Sequence, residues 1–229
     1  MGLLIGILIY IAIATFVLGT LWRIYDYTST PAKLRVPLTP APSTTSGVIA
    51  RQLKEVFLFQ TLFKSSRWTW LFGWLFHVSL GLVVLRHIRY AFDEVPHWAM
   101  LLDPTYRYAS VIMIIALCGL WARRLFVDRV RYISAISDHL MLALLIAIGV
   151  TGLLMKFVGE RDLVAFKAYL SSLFSFQWLP LQADGLLIIH LLLVLLLMII
   201  YPFSKLLHAP GLLFAPSRYQ ADRNGKRHG

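Results

Sequence analysis

The sequence predicts an all-α membrane protein with five transmembrane helices, and three observations predict it. Of 229 residues, 59% are hydrophobic and 14% charged, and mean hydropathy is +0.71; soluble domains run nearer to about 45–50% apolar and about 25% charged. Five apolar runs approach the roughly 20 residues that a helix needs to cross a hydrocarbon core about 30 Å thick. Basic residues outnumber acidic ones 22 to 11, and they are spread unequally over the loops, as a topology signal would be.

The first run, Leu3 to Leu21, lacks a basic leading segment and a small-residue cleavage pattern, so it reads as a retained helix and not a signal peptide. Residues 23–67 then form a loop. It opens with TSTPAKLRVPLTPAPSTTSG, where prolines at 31, 37, 40 and 42 remove backbone donors and forbid one continuous helix. Val48 to Phe63 sets Val56, Phe57, Phe59, Leu62 and Phe63 among Arg51, Lys54, Glu55 and Lys64, too short and too charged to span. It reads as an interfacial helix. The remaining spans are expected at about 68–88, 106–122, 139–157 and 186–208, the last regular to Phe203 and able to run on to His208. Residues 217–229 are expected to form a cytoplasmic tail, disordered over 223–229, and 1–229 a single membrane domain. Internal repeats and inverted halves of the transporter kind are not apparent.

The stretches Arg23 to Arg67, Arg123 to Arg131 and Lys205 to the end together carry sixteen Lys and Arg, whereas Arg86, Arg89, Arg107, Lys156, Arg161 and Lys167 make six on the other side. The positive-inside rule then puts the N-terminus outside (periplasmic) and the C-terminus in the cytoplasm. Most of the net charge is thereby explained without a nucleic-acid partner. Trp68, Trp70, Trp74, Trp98, Trp121 and Trp178 fall mostly near span ends, as an interfacial belt does. The single cysteine, Cys118, excludes a disulfide framework, a Cys-ligated iron-sulfur cluster and a C-x-x-C-H haem attachment. A cofactor must therefore use histidines or carboxylates.

Of seven histidines, His77 and His87 lie on the second span, and His190 and His208 on or at the end of the fifth. Ionisable groups at membrane depth are costly and usually face a functional interior. Two readings stand: hydrogen bonds between helices, or axial ligation of b-type haem by imidazoles from facing helices. Ten residues from His77 to His87 rise about 15 Å, and eighteen from His190 to His208 about 27 Å, or five whole turns. With the two spans antiparallel, His87 pairs with His190 near the outer face, and His77 pairs with His208 near the cytoplasm. The unequal steps require tilt or a kink at Pro202. His139, beside Asp138, and His97 read as interfacial polar residues, and His228 lies in the tail. Haem propionates at this depth need cations; Arg86, Arg89 and Arg107 suit an outer haem, Lys205 and Arg124 an inner one, unless these side chains simply snorkel to headgroups.

With these residues placed, the chain resembles the nitrate reductase gamma-subunit family of five-helix dihaem cytochromes b. The resemblance rests on FHVSLGLVVLRH (Phe76 to His87), RRLFVDRVRYIS (Arg123 to Ser134) with Asp138, and IIHLLLVLLLMIIYPFSKLLH (Ile188 to His208). It implies two haems b, with His77 and His208 on the inner iron and His87 and His190 on the outer one. It also implies a quinone site (menaquinone or ubiquinone) by the outer haem, where Arg107 stands in place of the Lys of the nitrate enzymes and Arg86 adds a second donor. Three further segments, Ser43 to Trp70, LRHIRY (Leu85 to Tyr90) and FSKLLHAPGLLFAPSR (Phe203 to Arg218), are more similar to the membrane cytochromes of dissimilatory sulfite reductase-linked (Dsr) complexes. That similarity implies a bacterial or archaeal cytoplasmic membrane and a cytoplasmic iron-sulfur partner of the heterodisulfide reductase type.

The expected function is electron transfer between membrane quinone and that partner in dissimilatory sulfur metabolism. The alternatives are the gamma subunit of a respiratory nitrate reductase, and a non-redox membrane anchor or transporter whose histidines only bond between helices. Asp93, Glu94 and Asp103 read as solvated loop carboxylates before they read as a proton relay.

Overall fold

The structure, a computed structural model, describes residues 2–30, 41–90, 92, 97, 100, 103–155, 157, 162–214 and 221; for 103, 104, 106, 107, 163, 210, 213 and 214 it describes the backbone alone. The elements in order are α1 (Gly2–Ser29), α2 (Thr45–Leu58), α3 (Gln60–Ser65), α4 (Arg67–His87), α5 (Asp103–Phe126), α6 (Asp128–Ile133), α7 (Ile136–Leu154), α8 (Leu163–Phe174), α9 (Gly185–Ile200) and α10 (His208–Phe214), with short 3-10 turns at Ile88–Tyr90, Tyr201–Phe203 and Lys205–Leu207. Among the described residues all regular structure is helical. The five helical segments containing α1, α4, α5, α7 and α9 are long and apolar enough to cross a membrane. The chain divides into two compact units, residues 1–9 with 66–195, and residues 10–65 with 196–229.

In the first unit α4 starts where the Ser66 side chain accepts the Thr69 N–H at 3.4 Å, satisfying one of the amides that a helix start leaves unpaired. It ends with Arg86 and His87 in its last turn, on the side the helix dipole favours for cations. Phe76 of α4 packs with Met113, Ala116 and Leu117 of α5 and Leu142 of α7, flanked by Phe72, Leu80, Trp121 and Leu145. Lipid is as apolar as these side chains, so dispersion and close fit hold the three helices together rather than exclusion of water. Trp68 Nε1 donates across to the Gly119 carbonyl at 3.2 Å.

The turn from α5 to α7 is closed by ionic and hydrogen bonds. Arg124 donates to Ser134 Oγ at 3.0 Å and lies 3.5 Å from Asp138 Oδ2. The same carboxylate oxygen accepts the Ala135 N–H at 3.0 Å, which caps α7 from its third position. Asp138 is buried, so its charge is compensated by these donors.

Between the fourth and fifth spans, where the sequence suggested only an outer loop, lies α8. Asp162 caps it by accepting the Ala165 N–H at 2.9 Å. Tyr169, 1% exposed, donates its hydroxyl to the Gly2 carbonyl at 2.7 Å and ties α8 to the first turn of α1. Phe176 at φ 53° reverses the chain after α8, an αL position that a bulky residue takes only under local constraint.

In the second unit α1 continues to Ser29, eight residues past the expected end at Leu21, so Arg23 and Tyr27 are helical and not loop residues. The expected interfacial helix is two helices, α2 and α3, separated by Phe59 at φ 50°. Beyond the break Glu55 accepts the Thr61 N–H. Gln52 Nε2 donates to the Leu212 carbonyl at 2.6 Å and joins α2 to α10. The fifth span also departs from expectation. It is α-helical only to Ile200; Pro202 then opens a 3-10 turn and Ser204, at φ −106° and ψ 168°, is extended. Pro202 lacks the N–H that a continuing helix would use. The five-turn alignment of His190 with His208 therefore does not hold, and His208 begins α10 instead of ending α9. Prolines 31, 37 and 40, Asp93, Glu94, Trp98, Lys156, Arg161 and the tail apart from Ala221 lie outside the described residues, and Asp103 is described in backbone only.

Candidate functional site

Histidine ligands must present a lone pair on one ring nitrogen, and the partner of the other nitrogen decides which one does. In α4 the Nδ1 atoms of His77 and His87 lie 2.7 Å from the carbonyls of Gly73 and Val83, one turn back. A carbonyl only accepts, so each Nδ1 carries the proton and the lone pair sits on Nε2. His190, a buried residue of α9, reaches the same state by another route. Its Nδ1 lies 2.9 Å from Thr151 Oγ1 of α7, and the Thr151 hydroxyl donates back to the Ala147 carbonyl at 2.8 Å. Thr151 therefore spends its one hydrogen on the backbone and accepts from His190 Nδ1. The next residue, Gly152, makes room: a Cβ there would stand 3.2 Å from His190 Cε1, inside the usual contact distance.

His87 and His190, which the sequence paired on the outer side, both belong to the first unit. The His87 ring also stands 5.8 Å from that of Tyr90, which in turn meets Phe166 of α8 edge-on at 5.6 Å. Arg86 closes α4 and Arg89 sits in the 3-10 turn after it, both half-buried. Arg107 lies in the opening turns of α5, and its side chain is outside the described residues. Arg124 is engaged with Asp138 and Ser134, a structural role at the α5–α7 turn and not the propionate role the sequence offered as one possibility. His139 accepts a hydrogen bond from Trp121 Nε1 at 3.0 Å.

His208 belongs to the second unit, in a different setting. With Arg23, Tyr27, Pro202, Ser204, Lys205 and Leu207 it lines a cavity of about 290 Å³. Arg23 donates through Nε to the Pro202 carbonyl at 3.4 Å, and the Ser204 side chain accepts the Leu206 N–H at 3.2 Å. Lys205 was anticipated beside His208; Arg23 and Tyr27 were not.

An iron held by two neutral imidazoles requires Nε2 lone pairs and fixed ring orientation. The donors on His77, His87 and His190 fit that requirement. Among the described residues no three of His, Cys, Asp and Glu gather as a metal cluster, a geometry that bis-histidine ligation does not need. Sequence reasoning missed Thr151 and Gly152. Their signal was a lone hydroxyl followed by glycine inside an otherwise aliphatic span.

The sequence profile of the nitrate reductase gamma subunit family matches residues 61–224. The chain is 32% identical to the Hdr-like menaquinol oxidoreductase cytochrome b-like subunit of Archaeoglobus fulgidus, over 99% of this chain and 82% of that protein. It is also 32% identical to the protein of the same name from Archaeoglobus profundus, over 96% of this chain and 79% of that one.

Proposed function

This chain belongs to the nitrate reductase gamma-subunit family, and on that footing we propose that it is the membrane cytochrome b subunit of a quinone-linked oxidoreductase. It is a multi-pass integral membrane protein. The observation that carries the proposal is the common state of three intramembrane histidines, each with Nδ1 held by an oxygen and Nε2 left as the basic nitrogen. Histidines kept only for helix packing have no need of one tautomer throughout.

In this reading His87 and His190 bind one haem b, and His77 and His208 supply the two ligands of a second. Haem iron in such a setting would supply reversible one-electron carriage. The chain's own work is to orient the imidazoles through Gly73, Val83 and Thr151 and to bury the His190 ring, where local dipoles act strongly. Arg86 and Arg107 are assigned as donors to quinone oxygens, since guanidinium N–H groups form strong hydrogen bonds to a developing anion; Arg89 and Lys205 are assigned to haem carboxylates.

The excess of basic residues in 23–67, 123–131 and from 205 onward supports an N-terminus outside and a cytoplasmic C-terminus. The same segments are then the docking side for an iron-sulfur subunit. The printed name of both archaeal relatives favours a heterodisulfide reductase-like partner, and with it sulfur metabolism. The family description favours a second reading, the gamma subunit of a nitrate reductase. Adding menaquinol to the oxidised, detergent-purified chain tests the proposal: reduced b-type haem bands within seconds support it, and an unchanged spectrum from haem-loaded protein overturns it. Reoxidation of that protein by a heterodisulfide reductase-like iron-sulfur subunit, and not by a nitrate reductase iron-sulfur subunit, separates the two partners.

A further inference from the structure

We propose that α8 positions a haem ligand through two aromatic contacts: Phe166 holds the ring of Tyr90, and Tyr90 holds the plane of the His87 imidazole. The inference rests on the haem reading above. All of these residues belong to the first unit.

A hydrogen bond to one atom of a ring leaves the ring plane able to tilt. The Val83 carbonyl, 2.7 Å from His87 Nδ1, decides which nitrogen carries the lone pair, but orientation is a separate demand on the groups around a ligand. The other two helical histidines have a second restraint. His190 is buried, with Thr151 and Gly152 against its ring, and the His77 ring is met at 4.9 Å and 74° by that of the buried Phe76. His87 is exposed, so burial does not fix it. Among the described residues the ring that meets it is Tyr90, at 5.8 Å and 58°.

Tyr90 follows His87 by three residues, a step that makes side chains neighbours on a helical turn, and it closes the 3-10 turn Ile88–Tyr90. Its own ring meets Phe166 at 5.6 Å and 85°, the edge-to-face arrangement that ring quadrupoles favour. Phe166 is 8% exposed, and its helix is anchored on the same face. Tyr169, one turn on, donates to the Gly2 carbonyl. A Cβ on Gly6 would stand 2.7 Å from the Trp178 ring and 3.1 Å from the Leu173 side chain, so α1 begins flush against α8 and its sequel. At twelve residues α8 is too short to span a bilayer. Its place in the molecule is instead that of a fixed support, and Phe166 passes that support to Tyr90. Both contacts are made by the Tyr90 ring, so the ring and not the hydroxyl is the part assigned.

The test uses the full chain purified with its haems. The electron paramagnetic resonance signal of a low-spin ferric iron between two imidazoles reports the angle between their planes, and the signal that disappears in His87→Ala identifies the haem of His87 and His190. Tyr90→Leu, Tyr90→Phe and Phe166→Leu are compared with wild type and with the control Val164→Ala, at a residue 77% exposed on the same helix. Tyr90→Leu should shift or broaden that signal and leave the other haem's signal in place. Haem loss from the same site to an apoprotein acceptor should quicken about tenfold, the lower end for loss of an outer-shell partner. Phe166→Leu keeps an apolar side chain on α8 and removes the ring edge, and it should move the same signal by less. Tyr90→Phe and Val164→Ala should match wild type. An unchanged signal in both Tyr90→Leu and Phe166→Leu would overturn the inference while leaving the haem reading intact. A shift in Tyr90→Phe as large as in Tyr90→Leu would assign the effect to the hydroxyl and overturn it too, as would equal shifts of both haems, which general loosening of the fold would give. A haem-free wild type would overturn the haem reading and this inference together.

Discussion

His190 and His208 stand in one apolar run of the sequence, yet the two units treat them in opposite ways. His190 lies inside a regular helix, buried, with its ring fixed by Thr151 and given room by Gly152. His208 lies beyond two 3-10 turns, exposed, at the edge of a cavity that carries Arg23 and Lys205. The first setting controls the imidazole through hydrogen bonding and packing. The second surrounds it with charge. A cofactor held in the first would have its ligand geometry set by the protein, and one held by His208 would have its electrostatics set by flanking cations. The difference teaches that one apolar run can set its two histidines in unlike surroundings by ending its helix early, with Pro202 marking the change of rule.

The largest effect expected in the first unit comes from its core. Phe76→Ala removes the side chain around which Met113, Leu117 and Leu142 pack. In lipid only the cavity part of the cost applies, about 2 kcal/mol where a water-facing protein loses about 3–5. Thermal unfolding in detergent should show a clearly lowered midpoint, with the His87 and His190 region failing first by hydrogen exchange.

Thr151→Val keeps the shape and removes the acceptor of His190 Nδ1. The buried N–H left unpaired costs about 1–3 kcal/mol, and haem affinity at that site should fall about 10–100-fold. Thr151→Ser should restore it, an outcome that a purely packing role for Thr151 would not give. The contrast between the two histidines would be broken if Thr151→Val disturbed both haems equally.

Asp138→Asn leaves a hydrogen-bonding side chain but discharges the partner of Arg124. With Arg124 34% exposed at its side chain, solvent screens the pair, and a loss of about 1 kcal/mol is expected. Chemical denaturation of wild type and variant measures it. The smallest effect belongs to Glu55→Gln at the exposed break between α2 and α3. Stability should change by less than about 0.5 kcal/mol with haem content untouched.

The fold was legible wherever composition alone decides it. Five spans are where a run of apolar residues has no alternative in lipid, and the segment around Val56 and Phe57, apolar residues set among charges, is helical as expected. What the sequence hid were decisions made by contacts. Arg23 looks like a topology-setting cation in a loop, and only the continuation of α1 to Ser29 makes it a wall of the His208 cavity. The helix α8 was invisible because a twelve-residue segment with Lys167, Ser171 and Ser172 among its apolar residues suits an outer loop or a short packed helix equally, and the Tyr169 hydroxyl bond to Gly2 selects the latter. The histidines themselves stood out because charge at membrane depth is rare. Their tautomers did not, since Thr151 lies 39 positions from His190.

The most direct test of the account is the pyridine-haemochrome stoichiometry of the detergent-purified chain, with its reduced minus oxidised spectrum, in wild type, His87→Ala and His208→Ala. The account predicts two haems b per wild-type chain and one in each variant, with different bands remaining in the two. A featureless wild-type spectrum, from protein made in cells that supply haem, would contradict it and leave the histidines as partners in helix packing.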